Sequence, residues 1–358
     1  MKPTALDLAF TPATDLLAGY REKRFTPVDA LEAVVSQLER LNPILNAFCL
    51  VDYEAARSSA EQSTKRWMAG EPQGVLDGVP VSVKDIILTC GWPTLRGSRT
   101  VDPAQEWGED GPAVARLREQ GAVLFGKTTT PEFAFKGVTD SPLTGITRNP
   151  WNTDKTPGGS SGGASAAVAS GIGPLALATD AGGSVRIPAS FAGVFGHKPS
   201  GGRVPMYPPT PYATLAAFGP IARNVTDAAL MLSVIAASDD RDWEATAVPP
   251  EPYHERLEAD PRTWRIAWSP TLGFANVEPE VRDATARAVK AFEELGAQVE
   301  LVEHVMDDPW PVMERFKRGL TAYAFRNVTS EAMAKMDPGL VAEIEASRGA
   351  ELNDHFDA

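Results

Sequence analysis

The chain is poor in the residues that make a function easy to read. Of 358 residues only Cys49 and Cys90 are cysteines. Two isolated thiols make neither a disulfide framework nor a metal spacing, so a reducing, cytoplasmic setting is expected. The four histidines, His197, His254, His304 and His355, are too scattered for a metal site. No apolar run approaches the ~18 residues of a membrane-spanning helix. The opening MKPTALDLAF has neither the apolar core nor the cleavage pattern of a signal peptide. Positive charge is also scarce. With 34 Lys and Arg against 47 Asp and Glu the net charge is −13, which argues against nucleic-acid and anionic-membrane partners. No internal repeat is visible.

What is present is an ordinary globular composition with alternating helix and strand signals. Thr11-Pro12 and Thr26-Pro27 each set a capping residue before a first-turn proline, predicting helices over 12–22 and 27–41, the second stopped by Asn42-Pro43. Short strands are expected over 47–51, 122–125, 174–179, 265–269 and 298–302. Further helices are expected over 52–68, 110–120, 226–237 and 278–295, with Thr226 capping the third of these. Residues 201–220 read as proline-rich loop and 238–262 as the most linker-like stretch. Strands alternating with helices indicate an α/β protein, a large mixed sheet covered by helices on both faces.

Two patterns point the wrong way. Gly121 to Thr128 matches the P-loop spacing, but its variable residues are an apolar strand preceded, not followed, by a helix. Gly158 to Gly162 matches the nucleophile elbow of serine hydrolases, yet a polar loop with two prolines precedes it, where the elbow needs a strand. A Ser-His-Asp triad also needs a placed histidine. His197 sits in a Gly-His-Lys-Pro turn, and the other three lie in polar surroundings.

The stretch Thr156 to Pro199 holds two Gly-Gly-Ser clusters, Gly158-Gly159-Ser160 and Gly182-Gly183-Ser184. Paired glycines let the backbone approach a ligand and present the following hydroxyl. A small-residue helix and a buried strand separate the clusters, so the two serines can meet in space. A serine without histidine needs another base. Lys84 lies at the end of the run Val79-Pro-Val-Ser-Val, which Ile86-Ile87 extend into a buried strand. A lysine there either snorkels to the surface or is buried with its pKa lowered. Taken alone the surface alternative is the commoner one.

Three segments taken together change that balance: Gly78-Val-Pro-Val-Ser-Val-Lys84-Asp85, Pro157-Gly-Gly-Ser-Ser-Gly-Gly163 and Thr179-Asp-Ala-Gly-Gly-Ser-Val-Arg-Ile-Pro188. With Gly126-Lys-Thr, Asn149-Pro-Trp151, Gly196-His-Lys-Pro199 and Gly219-Pro220 in the same order, the chain from about Asp77 to Asp227 resembles the amidase signature family of serine hydrolases. The resemblance implies a Ser–Ser–Lys triad. Ser184 would be the nucleophile, Ser160 the bridging serine on a cis peptide, and Lys84 the base. The amides of Ala181, Gly182, Gly183 and Ser184 would form the oxyanion hole. Ser161, Asp180 and Arg186 match positions that support the loop. No cofactor and no metal are implied, since activation comes from the lysine.

The resemblance further implies a small-molecule amide as substrate. Three functions fit it: a stand-alone amidase, the A subunit of a tRNA-dependent amidotransferase, and an inactive amidase-like binding protein. Ile187 before Pro188, and Thr214-Leu-Ala-Ala before Phe218-Gly-Pro220, are apolar where the amidotransferase protein is polar, favouring the stand-alone enzyme. The whole of 1–358 reads as one amidase domain, with a helical region over 1–70, a core over 77–227 and a variable region over 263–358. Family members run on past this length with a late strand and residues of the acyl pocket, and that segment is not found here. A sheet edge left open in this way invites association, for which a homodimer is the expected form. Gly97, Thr128 and Thr130 are candidates to border the site, and Phe133, Phe135, Tyr207 and Tyr212 to line it.

Overall fold

Capping residues start the first helices. Thr4 caps α1 (Ala5–Phe10), and Thr26 and Asp29 form a reciprocal capping box at α3 (Pro27–Leu45), after α2 (Ala13–Arg21). The expected stop at Asn42-Pro43 does not occur. The Asn42 side chain takes the amides of Ala47 and Phe48, and the helix runs on to end at Asn46 in the left-handed region (φ 50°). The structure, a computed structural model, describes residues 4–351 apart from 211, 213, 214 and 247–250. Thr214 and His355 therefore lie outside the described residues.

Then follow β1 (Phe48–Val51), α4 (Tyr53–Ala69), β2 (Pro80–Lys84), α5 (Pro112–Glu119), β3 (Val123–Thr128), β4 (Asp140–Ser141) and β5 (Gly145–Ile146). After them come α6 (Gly162–Ala169), β6 (Leu175–Asp180), α7 (Arg186–Ala192), β7 (Phe195–Gly196), β8 (Ala217–Ala222) and α8 (Val225–Ile235). A six-stranded sheet is ordered β1-β3-β2-β6-β8-β7. Strands β3, β2 and β6 are parallel, and β1, β8 and β7 run antiparallel to their neighbours. This is the mixed α/β sheet expected.

Three local expectations fail for physical reasons. The strand through Lys84 does not continue over Ile86-Ile87, because both amides turn back onto the Lys84 carbonyl at 2.8 and 3.1 Å. Ala217–Ala222 is a strand, not loop, although Pro220 cannot donate to a ladder. Its carbonyl instead accepts the His197 amide at 3.1 Å. Asn224, not Thr226, caps α8, accepting the Asp227 amide at 2.7 Å.

The core explains the side-chain directions that build the site. Val81, Val83, Leu124, Leu175 and Leu177 pack with α5 and α8 on one face. Ala176 and Ala178 face Ala164 and Val168 of α6 on the other. Strand alternation then sends Ser82 and Lys84 toward the α6 face.

The described residues fall into two compact units. The first runs to His254 and takes up Asn327–Val341; the second comprises Glu255–Arg326 and the residues from Ala342. In the second, β9 (Arg265–Trp268), α9 (Pro279–Glu294) and β10 (Gln298–Leu301) form a parallel βαβ unit, followed by α10 (Trp310–Ala324). The last helices are α11 (Ser330–Met333) and α12 (Pro338–Ser347). Among the described residues no helix is long and apolar enough to cross a membrane.

Candidate active site

Lys84 ends β2 fully buried, not snorkelling. Its Nζ lies 2.6 Å from Ser160 Oγ, 2.9 Å from Ser161 Oγ and 3.0 Å from Thr179 Oγ1. Burial pulls the amine down to about 7, and the nearby Asp180 carboxylate opposes the fall. The three contacts serve either form of the amine: an ammonium donates all three, and a neutral amine donates two and takes the third on its lone pair. The Ser161 hydroxyl is within 3.3 Å of the Thr179 carbonyl as an acceptor for its own proton. Its oxygen is then left to accept from Lys84.

Ser160 and Ser161 are held by the turn that opens α6. The Gly159–Ser160 peptide is cis. A Cβ on Gly159 would come within 2.7 Å of the Val138 backbone, so only glycine fits that contact. Thr139 clasps the turn from outside, donating to the Gly158 carbonyl at 2.9 Å and accepting the Gly162 amide at 3.0 Å. The Ser161 amide donates to the Ser184 carbonyl at 3.2 Å, which sets the second serine cluster against the first.

Ser184 lies in the turn between β6 and α7. Asp180 organises that turn. It accepts the amides of Gly183, Val185 and Arg186 at 2.7, 3.1 and 3.3 Å, and a bidentate pair from Arg186 at 2.9 Å each. Burial alone would raise the Asp180 carboxyl, but Arg186 and these amides hold it below its ordinary value. Gly183 takes φ 123°, where a Cβ would strike Ile187 at 2.7 Å. Of the four amides expected to meet an oxyanion, that of Gly183 is thus spent on Asp180. Those of Ala181, Gly182 and Ser184 make no hydrogen bond to the described residues. Ser184 is half-buried, and its hydroxyl likewise makes no hydrogen bond to them. The structure therefore brings Lys84, Ser160 and Ser161 into one bonded cluster and places Ser184 beside it without a formed hydroxyl link.

The P-loop-like run is resolved as β3. Its Lys127 is buried and donates to the Ile87 carbonyl at 3.0 Å and to Thr94 Oγ1, with Asp85 3.5 Å away. This lysine grips the loop after β2. No described histidine touches either serine. His254 sits 3.3 Å from Ser233 and His304 3.6 Å from Asp307, while the His197 amide joins the sheet.

Among the bordering candidates, Gly97 donates its amide to Asp85 at 3.3 Å. The hydroxyls of Thr128 and Thr130 are buried without partners. Tyr207 is packed under the Arg241 guanidinium, 5.1 Å from its ring, and Phe135 against Gly339. Thr179 escaped the sequence reading. The available signal was its place as the last strand residue before Asp180, on the same end of the sheet as Lys84.

The model of the family described as amidase matches residues 29–357. An acylamidase of Rhodococcus erythropolis is 40% identical over 297 residues, covering 83% of this chain and 62% of its own length. The A subunit of a glutamyl-tRNA(Gln) amidotransferase from Roseiflexus sp. (strain RS-1) is 39% identical over 278 residues, 76% of this chain and 56% of that protein. The chain thus spans about three fifths of the curated relatives it matches. Among solved structures, a bacterial aryl acylamidase of the amidase signature enzymes superposes with a TM-score of 0.89 at 32% identity, covering 97% of this chain and 74% of that one. The native peptide amidase of Stenotrophomonas maltophilia gives 0.81 at 27%, covering 97% and 77%.

Proposed function

The chain belongs to the amidase signature family, and from that premise we propose that it hydrolyses the carbon–nitrogen bond of a small carboxylic amide through an acyl-enzyme on Ser184. The observation that carries this reading is the 2.6 Å contact of Lys84 with Ser160 in a site dry enough to bring the amine to about 7. Neutral Lys84 takes the proton of Ser160 as Ser160 takes that of Ser184. The Ser184 oxygen bonds to the carbonyl carbon, and the oxyanion that forms faces the open amides of Ala181, Gly182 and Ser184. One such donor contributes ~3 kcal/mol to a transition state. The C–N bond breaks as the proton returns along the relay to the departing nitrogen. Water then attacks the ester by the same route and frees the acid.

A panel of aliphatic, aryl and peptide amides and glutamine, run on wild type and Ser184→Ala, tests this. Wild type is expected to turn over at least one amide without a partner, and the variant none. The amidotransferase relatives support a second reading, an ammonia-releasing component of a larger enzyme. Glutamine hydrolysis that appears only with a partner protein would select it. No turnover across the panel, with no labelling of Ser184 by a fluorophosphonate, would leave a binding protein.

A further inference from the structure

The loop that leaves the catalytic lysine carries a cation whose side chain has no hydrogen bond or ion pair among the described residues. Substrates of α/β sheets bind at the carboxyl ends of the parallel strands. Here that edge is formed by the ends of β2 and β3, where Lys84 pairs with Thr128 and the Asp85 amide donates to the Thr128 carbonyl at 3.0 Å. The loop from Asp85 to Gly97 rises from it and is tied back at several points. Asp85 accepts the amides of Leu95 and Gly97 at 3.2 and 3.3 Å, and Lys127 holds Ile87 and Thr94 from below. Arg96, between the two tethered amides, is forced into the left-handed region at φ 57°, and its carbonyl accepts the Phe133 amide at 2.8 Å. A non-glycine residue in that region is uncommon, and strained backbone of this kind clusters at ligand sites and switch regions.

Among the described residues Arg96 is the one arginine that is not exposed and whose guanidinium makes neither a hydrogen bond nor an ion pair. Burial pulls it below its ordinary pKa, with Asp85 opposing. The carboxylate that acts on it is already engaged: Asp85 is spent on Lys127 and two amides. Glu132, next to the Phe133 amide that meets the Arg96 carbonyl, is spent on Ser98 (2.6 Å) and the Asp337 amide. A half-buried guanidinium keeps five N–H donors in a planar fork, and leaving them unpaired out of water costs free energy. The fork matches a carboxylate in two-point contact. One unpaired charge also suits a monoanion, since Lys127 is taken up by Asp85 and Lys84 is neutral above about 7.

We propose that Arg96 anchors a carboxylate on the substrate, so that the enzyme's substrates are amides that also carry an acid group. This rests on the amidase reading and narrows it to a substrate class. Two matched pairs test it, one for each side of the scissile bond: N-phenylsuccinamate against butyranilide, and para-acetamidobenzoate against acetanilide. Rates are normalised to the fraction of chain labelled by a fluorophosphonate at Ser184, which removes misfolded protein from the comparison. Wild type is expected to prefer the acid in kcat/KM in at least one pair. Arg96→Met should cut that acid-to-neutral ratio by about 10–100-fold, chiefly through KM, the usual effect of losing a hydrogen-bonded charge. Arg96→Lys should keep part of it. Turnover of both members of each pair without preference overturns the anchor and leaves the amidase standing. So does an Arg96→Met variant that slows acid and neutral amides by the same factor. A wild type that neither turns over nor is labelled overturns the amidase reading, and the anchor with it.

Discussion

Replacing Lys84 with methionine should abolish turnover and yet stabilise the fold at neutral pH. The amine is fully buried and holds a pKa of about 7 in place of its ordinary 10.5. Below about pH 7 folded and unfolded chains both bind its proton. Between about 7 and 10.5 the unfolded chain keeps the proton and the folded one has released it, so the native state gains roughly 1.4 kcal/mol per pH unit. At pH 7 the wild type therefore lacks most of that gain, a deficit on the order of 4–5 kcal/mol. The contacts of Lys84 with Ser160, Ser161 and Thr179 offset it by ~1 kcal/mol each. Methionine fills a similar volume without a charge. It should come out more stable than wild type at neutral pH by ~1–2 kcal/mol. That lead should shrink by roughly 3 kcal/mol as pH rises by about two units. Urea unfolding of both proteins across this range measures the gap. A gap that stays constant with pH would mean that Lys84 titrates like an exposed lysine, and the proton relay would lose its base.

The same titration should appear in the rate: kcat/KM is expected to rise with pH through about 7 and level off above it, as the neutral amine fills. A rate that falls over that span would contradict a lysine base. Ser160→Ala removes the relay hydroxyl and should lower kcat by ~10³-fold or more, whereas Ser161→Ala should cost less, because Ser160 still contacts Lys84. Steady-state kinetics on the two variants check the order. Gly159→Ala drives a Cβ to within 2.7 Å of the Val138 backbone and should destabilise by ~2 kcal/mol or more. Gly182→Ala, whose Cβ meets nothing within 4 Å, should stay within ~1 kcal/mol of wild type in thermal unfolding.

The two Gly-Gly-Ser clusters mark backbone that must approach something closely, and the sequence alone reaches that far. That Lys84 joins Ser160 came from the resemblance, since alternation around Lys84 by itself favours a surface lysine. What stayed hidden depends on the third dimension. Thr179 reads as an ordinary strand residue until β6 is laid beside β2 and its hydroxyl meets Lys84. The Gly183 amide looked free for an oxyanion, but Asp180 folds back to take it. Arg96 carried no signal at all, since a lone arginine in a polar loop is expected to be solvated. The strand Ala217–Ala222 was concealed by Gly219-Pro220, punctuation that normally ends strands and here sits inside one because Pro220 lends the ladder its carbonyl. Asn42 extended α3 past a proline by side-chain bonds that no periodicity records.

The central claim is that Ser184 is the nucleophile and Ser160 its relay. Intact-mass analysis after fluorophosphonate treatment, followed by peptide mapping, tests it most directly. One adduct per chain is predicted, on Ser184, absent from Ser184→Ala and slowed in Lys84→Met. An adduct on Ser160, or one that survives undiminished in Ser184→Ala, would contradict the account.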